Sequence, residues 1–207
     1  KDYTADGNDE VIFDTDNYTA IIKPDRGASL IHLAMNKHDF DPTDTLTRVK
    51  EGYHLKLDKA VTHAVSGKTE SIHEVVLAKE EGLKNLLIED WYLKRCMIDH
   101  FFTDDVDFDR FRSGQYGEEG DFILEPFEAS IDQENQYAEF VREGHLWRSD
   151  GVISLRMVKR YTIDNESNQI LVSYELSCPN GGNPHVNFAV ENNFNFQRKR
   201  NQLIDRY

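Results

Sequence analysis

Ile153-Ser154-Leu155-Arg156-Met157-Val158-Lys159-Arg160-Tyr161-Thr162-Ile163 leads through Asp164-Asn165-Glu166-Ser167-Asn168 into Gln169-Ile170-Leu171-Val172-Ser173-Tyr174-Glu175-Leu176. Ile153, Leu155, Met157, Tyr161 and Ile163 share one parity, while Ser154, Arg156, Arg160 and Thr162 share the other. Successive side chains of a strand point to opposite faces, so this period of two predicts one long half-buried strand. The parity has exceptions: Lys159 stands on the apolar side, and Val152 and Val158 on the polar side. The Asp/Asn/Ser-rich run supplies turn chemistry, after which Ile170, Val172, Tyr174 and Leu176 alternate again. Together the two runs predict a β-hairpin with Ile153, Leu155, Met157, Val172 and Tyr174 in the core.

The same period recurs on both sides of this hairpin. Phe127, Ala129 and Ile131 alternate with Glu128, Ser130 and Asp132, which predicts a further half-buried antiparallel strand. Strands are also predicted at 18–23, 29–35, 72–77, 86–92, 96–102, 137–143 and 185–196. Turn residues punctuate the chain at 24–27, 41–44, 66–68, 142–145 and 179–184. Only 78–84 has a helical look, and Gly82 weakens it. Many short strands with almost no helix predict an all-β fold, an antiparallel β-sandwich or barrel. Neither an internal repeat nor a low-complexity linker interrupts the pattern, so residues 1–207 are expected to form a single domain.

Composition narrows the function classes. A chain of 207 residues with 39% hydrophobic and 30% charged residues can bury a core and is not of the disordered class. The 24 Lys and Arg against 38 Asp and Glu leave a net charge of −14, which disfavours nucleic acid and anionic membrane surfaces as partners. Apolar runs fall far short of the roughly 20 residues that span a bilayer. The first residues, Lys1-Asp2-Tyr3-Thr4, have no signal-peptide character. Cysteine occurs only at Cys96 and Cys178, outside any CxxC pattern, so neither a zinc site nor a disulfide framework is expected and the cytoplasm is the simplest location. Asp6-Gly7-Asn8-Asp9-Glu10 has the acidic look of a calcium loop but lacks the flanking helices of an EF-hand, and reads as a solvated turn. No metal or cofactor is expected.

Polar and aromatic residues concentrate at Glu89-Asp90-Trp91-Tyr92-Leu93-Lys94-Arg95-Cys96-Met97-Ile98-Asp99-His100-Phe101-Phe102. Such a mixture suits a sugar: aromatic rings stack on the apolar face of a pyranose, and fixed polar groups bond its hydroxyls. Asp99 and His100 are adjacent, so on a strand they point to opposite faces and cannot pair with each other. A buried ion-pair network in central strands explains the same residues without a ligand. His73 with Glu74, and Tyr53 with His54 and Arg48, are further polar candidates, and Trp147 sits near a predicted hairpin tip where it can serve as a sugar platform or as a loop anchor. The GxSxG, P-loop, GxGxxG and HExxH patterns are absent from the sequence.

Several of these blocks, in order, resemble the C-terminal β-domain of glycoside hydrolase family 57. They are Pro24-Asp25-Arg26-Gly27-Ala28-Ser29-Leu30, Asp44-Thr45-Leu46-Thr47-Arg48, Tyr53-His54, Ile72-His73-Glu74, Lys79-Glu80-Glu81-Gly82-Leu83, Asp90-Trp91-Tyr92, Arg95, Asp99-His100-Phe101, Gly120-Asp121-Phe122 and Lys159-Arg160-Tyr161. That family includes α-amylase-like enzymes and 4-α-glucanotransferases. The resemblance implies a sandwich similar to galactose mutarotase and to the N-domain of maltose phosphorylase. It also implies a parent enzyme whose catalytic Glu and Asp lie on a preceding (β/α) barrel, so no catalytic residue is carried over here. The family's domain runs on for further strands, which makes this chain a fragment of a larger one.

The leading expectation is an accessory domain without catalysis of its own, partnered by the barrel and contacting an α-1,4-glucan through Tyr53, His54, His73, Trp91, Arg95, Asp99 and His100. A free-standing sugar mutarotase or epimerase using His73 or His100 with a carboxylate is the second reading. A purely structural interaction domain is the third. The fold does not choose among them.

Overall fold

The computed structural model describes residues 1–52 and 88–196. The predicted strand at 72–77, the first two residues of that at 86–92 and the helical stretch at 78–84 lie outside the described residues. Two compact units divide the rest. One contains residues 1–46, 94–106 and 116–196; the other contains 47–52, 88–93 and 107–115.

Among its described residues, the first unit has strands as its regular elements. They are β1 (Val11–Asp14), β2 (Tyr18–Lys23), β3 (Ser29–Met35), β4 (Cys96–Phe102), β5 (Glu128–Asp132), β6 (Tyr137–Arg148), β7 (Gly151–Asp164), β8 (Gln169–Ser177) and β9 (Asn187–Asn192). They form a five-stranded sheet in the order β1-β2-β3-β4-β9 and a four-stranded sheet in the order β5-β6-β7-β8. Every pairing is antiparallel. The bounds of β2, β3 and β4 coincide with those of the strands predicted at 18–23, 29–35 and 96–102.

The β7–β8 hairpin forms as its sequence predicts, and its turn is closed by Asp164. That carboxylate accepts from the Glu166 and Ser167 N–H groups and from the Ser167 hydroxyl. Leu155, Met157, Tyr161 and Ile163 are buried from β7, and Ile153, Val172 and Tyr174 pack against them. The core continues through Phe101, Phe122, Phe127 and Phe140, with the Phe101 and Phe122 rings 5.1 Å apart and Phe140 meeting Tyr161 edge-on at 5.5 Å. Tyr161 donates its buried hydroxyl to the Ala28 carbonyl.

The structure corrects several readings. Residues 142–145 are not a turn but the middle of β6. Gly144 is needed there because a Cβ would run into the Asp121 carboxylate and lie 2.8 Å from Phe122 Cζ. It marks a close approach, not a chain reversal. The strand at 128–132 exists but is not half-buried: it is an edge strand, Ile131 is 57% exposed, and only Phe127 just before it enters the core. Alternation sets the direction of side chains, whereas burial requires an element opposite them. Residues 88–92 form no strand, and the last predicted strand is confined to Asn187–Asn192.

The second unit, among its described residues, contains one short helix, α1 (Phe108–Arg112), capped by Asp107, whose side chain accepts the Arg110 N–H. Arg48 pairs with Asp90 through its side chain and its backbone N–H.

Candidate functional site

A bulge in β4 decides which way its polar residues face. Met97 takes φ +58°, and the pairing with β9 shifts between Cys96 and Ile98. One extra residue exchanges the two faces of the strand beyond it. Cys96 therefore faces the inter-sheet core, and after the bulge Asp99 and Phe101 do so again. Lys159, the charge that β7 carries on its apolar side, reaches Asp99 across the core at 2.8 Å. Its ammonium also donates to the Met97 carbonyl at 2.6 Å and to the Gly27 carbonyl at 3.3 Å, so it ties the bulge and the β2–β3 turn to the facing sheet.

Both charges of this pair are sealed from solvent. Burial pushes Lys159 down and Asp99 up from their ordinary pKa values, with mutual attraction opposing both shifts. Asp99 Oδ1 and the Tyr174 hydroxyl are buried close to each other but outside regular hydrogen-bond geometry, and neither has another partner among the described residues. Burial, and then the nearby Asp99 charge, drives the Tyr174 phenol far above its usual range.

His100 points to the opposite face, as adjacency on a strand requires. Its Nδ1 lies 2.8 Å from Glu118 Oε2 and its Nε2 lies 3.1 Å from Glu191 Oε2. Glu118 Oε1 accepts the Phe101 and Gly120 N–H groups, while Glu191 Oε1 pairs with Lys94 Nζ at 2.7 Å and with Asn193 Nδ2. The imidazole stacks on Phe102 at 4.8 Å and meets Tyr116 edge-on. Burial disfavours the imidazolium, but bonds to two carboxylates outweigh it, and the net shift of the His100 pKa is upward. This side chain is 1% exposed, so the acid–base capacity of the group is closed to a solute.

The remaining candidates scatter. Tyr53, His54 and His73 lie outside the described residues. Trp91 belongs to the second unit, 54% exposed, with its ring edge-on to buried Tyr92 at 4.8 Å. Arg95 is half-buried just before β4, and desolvation lowers its pKa. Asp99 and His100 share a strand but not a face. Sequence reasoning missed Glu118 and Glu191 as partners of His100, and Lys94 as the partner of Glu191; the available signal was that an adjacent buried Asp and His each need an opposite charge from elsewhere in the chain.

The acidic N-terminal stretch is also internally paired. Asp2, Asp6 and Glu10 bring carboxylate oxygens within 4.8 Å of one another, and Lys23 Nζ lies 2.7 Å from both Asp6 and Glu10. Burial raises the Glu10 pKa, but Lys23, the Thr4 hydroxyl and the Tyr3 and Thr4 N–H groups more than reverse this and hold it at about 2. Glu10 is buried, so the expected solvated turn is instead an anchored one. A groove of about 600 Å³ opens between β1 and the β5–β6 turn, where Asp14, Asp16, Asp132 and Gln136 surround Phe13 and Ile131.

The family described as alpha-amylase/4-alpha-glucanotransferase, C-terminal, matches residues 2–205. The chain belongs to this family. Among relatives of this C-terminal domain, alpha-amylase 1 of Dictyoglomus thermophilum is 29% identical over 195 residues, covering 94% of this chain and 27% of that protein. The 4-alpha-glucanotransferase of Thermococcus litoralis is 31% identical over 157 residues, covering 73% of this chain and 22% of that protein. The chain thus spans about a quarter of the length of these relatives. The crystal structure of the Thermococcus litoralis enzyme superposes with a TM-score of 0.72 over 90% of this chain and 26% of that one, at 24% identity, a likeness of fold. The described residues of this alpha-amylase/4-alpha-glucanotransferase C-terminal domain are nearly all β, the domain corresponds to part of longer relatives, and no helix among its described residues is long and apolar enough to cross a membrane.

Proposed function

We propose that this chain is the non-catalytic C-terminal domain of a cytoplasmic α-glucan-active enzyme of glycoside hydrolase family 57, a fragment that buttresses the catalytic barrel and contacts the glucan. The match over 2–205, against relatives of which it covers only about a quarter, carries this reading. The closed state of Asp99 and His100 favours a framework role for the charged block over a mutarotase reading built on His100, which needs an accessible base; the version built on His73 lies outside the described residues. The net charge of −14 is indifferent to a neutral glucan and opposes binding to nucleic acid or anionic membrane. The unpaired thiols Cys96 and Cys178 suit a reducing compartment.

Calorimetric titration with maltoheptaose tests the glucan contact. Millimolar binding is expected, weakened several-fold in Trp91→Ala. Equal binding by both proteins would move the contact away from Trp91, and no heat from the wild type at millimolar sugar would end the glucan reading.

A further inference from the structure

The turn end of the β6–β7 hairpin carries an exposed aromatic that neither the core nor the charged block uses. Trp147 is 60% exposed, and Val152, its partner across the ladder, is 54% exposed. Residues directly opposite in a ladder share a face, as do residues two apart on one strand. His145 and its partner Ser154 therefore stand on the same face as Trp147 and Val152. Leu146, between His145 and Trp147, is fully buried, which fixes the outward direction of both neighbours. Their two rings lie 5.7 Å apart with their planes at 49°. Asn180 brings its amide to the same edge, donating to Ser154 Oγ at 3.1 Å.

The strand is held here without the indole. Trp147 N–H donates to the Glu119 carbonyl at 2.8 Å, and His145 N–H donates to Asp121 Oδ1 at 2.9 Å. A large apolar ring left in water on an anchored strand is then free to meet a ligand.

Building on the glucan reading above, we propose that Trp147 and Val152, flanked by His145 and Ser154, form a second glucan contact, a stacking platform for a short run of glucosyl units. The apolar face of a pyranose lies on the indole and the valine methyls, and its rim hydroxyls meet the imidazole, the Ser154 hydroxyl and the Asn180 amide. The quartet itself contains no carboxylate, Lys or Arg, and the carboxylate beside it, Asp121, 3.5 Å from His145 Nδ1, is already paired with Arg142, which matches a neutral ligand.

The chain has two tryptophans, Trp91 and Trp147, so the indole N–H region of a ¹⁵N spectrum reports each contact separately once Trp147→Ala assigns the pair. On titration with maltoheptaose the Trp147 resonance is expected to move saturably. Trp147→Ala should weaken binding at this platform about tenfold, equivalent to roughly 1.4 kcal/mol, and Trp147→Phe should retain part of it. A Trp147 resonance that stays still, or a Trp147→Ala variant that binds as the wild type does, overturns the platform while leaving the glucan reading standing. Absence of any binding at millimolar sugar overturns both.

Discussion

Replacing Lys159 by Met is expected to destabilise the domain by about 3–5 kcal/mol, since removing one member of a buried ion pair strands the other. Asp99 would keep its charge, or take up a proton, in a site with no solvent access, and its Oδ1 already lacks a regular hydrogen bond among the described residues. The Met97 and Gly27 carbonyls would lose their donor as well, which loosens the β4 bulge and the β2–β3 turn together. Denaturant titration measures the loss; by the usual scaling the thermal midpoint falls roughly 2–4 °C for each kcal/mol in a chain of this size. The double variant Asp99→Leu, Lys159→Met should recover part of the loss, because it removes both charges. Recovery stays incomplete because the two carbonyls remain unpaired. A single variant within about 1 kcal/mol of the wild type would mean that the ammonium does not sit where the structure places it.

The second large effect is expected at His100. His100→Leu leaves Glu118 and Glu191 facing each other across an apolar side chain, again a cost of about 3–5 kcal/mol for breaking a buried charged cluster. Its pH dependence has a definite sign. Among the described residues, the groups facing the ring include Glu118, Glu191 with its partner Lys94, and the Tyr116 and Phe102 rings. The folded-state pKa lies above the ordinary value of 6.5, so the contribution is fully present below 6.5 and is lost as pH rises through the folded-state pKa. Thermal midpoints of wild type minus His100→Gln should therefore shrink from pH 6 toward alkaline pH. A difference that grows with pH would contradict the assignment of a protonated ring between two carboxylates.

How far these features can be read in advance depends on their range in the chain. The β7–β8 hairpin is written in local alternation, and β2, β3 and β4 are legible as short strand-forming runs, β2 and β3 set off by turn residues at 24–27. Lys159 is written there too, as the one charge on an apolar parity, but its partner lies 60 residues away and no local pattern names it. Gly144 reads as a turn because glycine punctuates turns. Its actual reason is the Asp121 and Phe122 side chains approaching from another segment. The Met97 bulge has no glycine to announce it, yet it decides that Asp99 faces the core and His100 the other way. The candidate site was legible as a set of residue types. Its sorting into a sealed ion pair, a sealed clasp and one exposed tryptophan depends on contacts across the sheets.

The claim that this domain assists catalysis without performing it is tested most directly by incubating the purified chain with soluble starch and assaying released reducing ends. The account predicts no release above a buffer control. Release of maltooligosaccharides that is abolished by changing one of the chain's own acids, Glu118→Gln first among them, would contradict it.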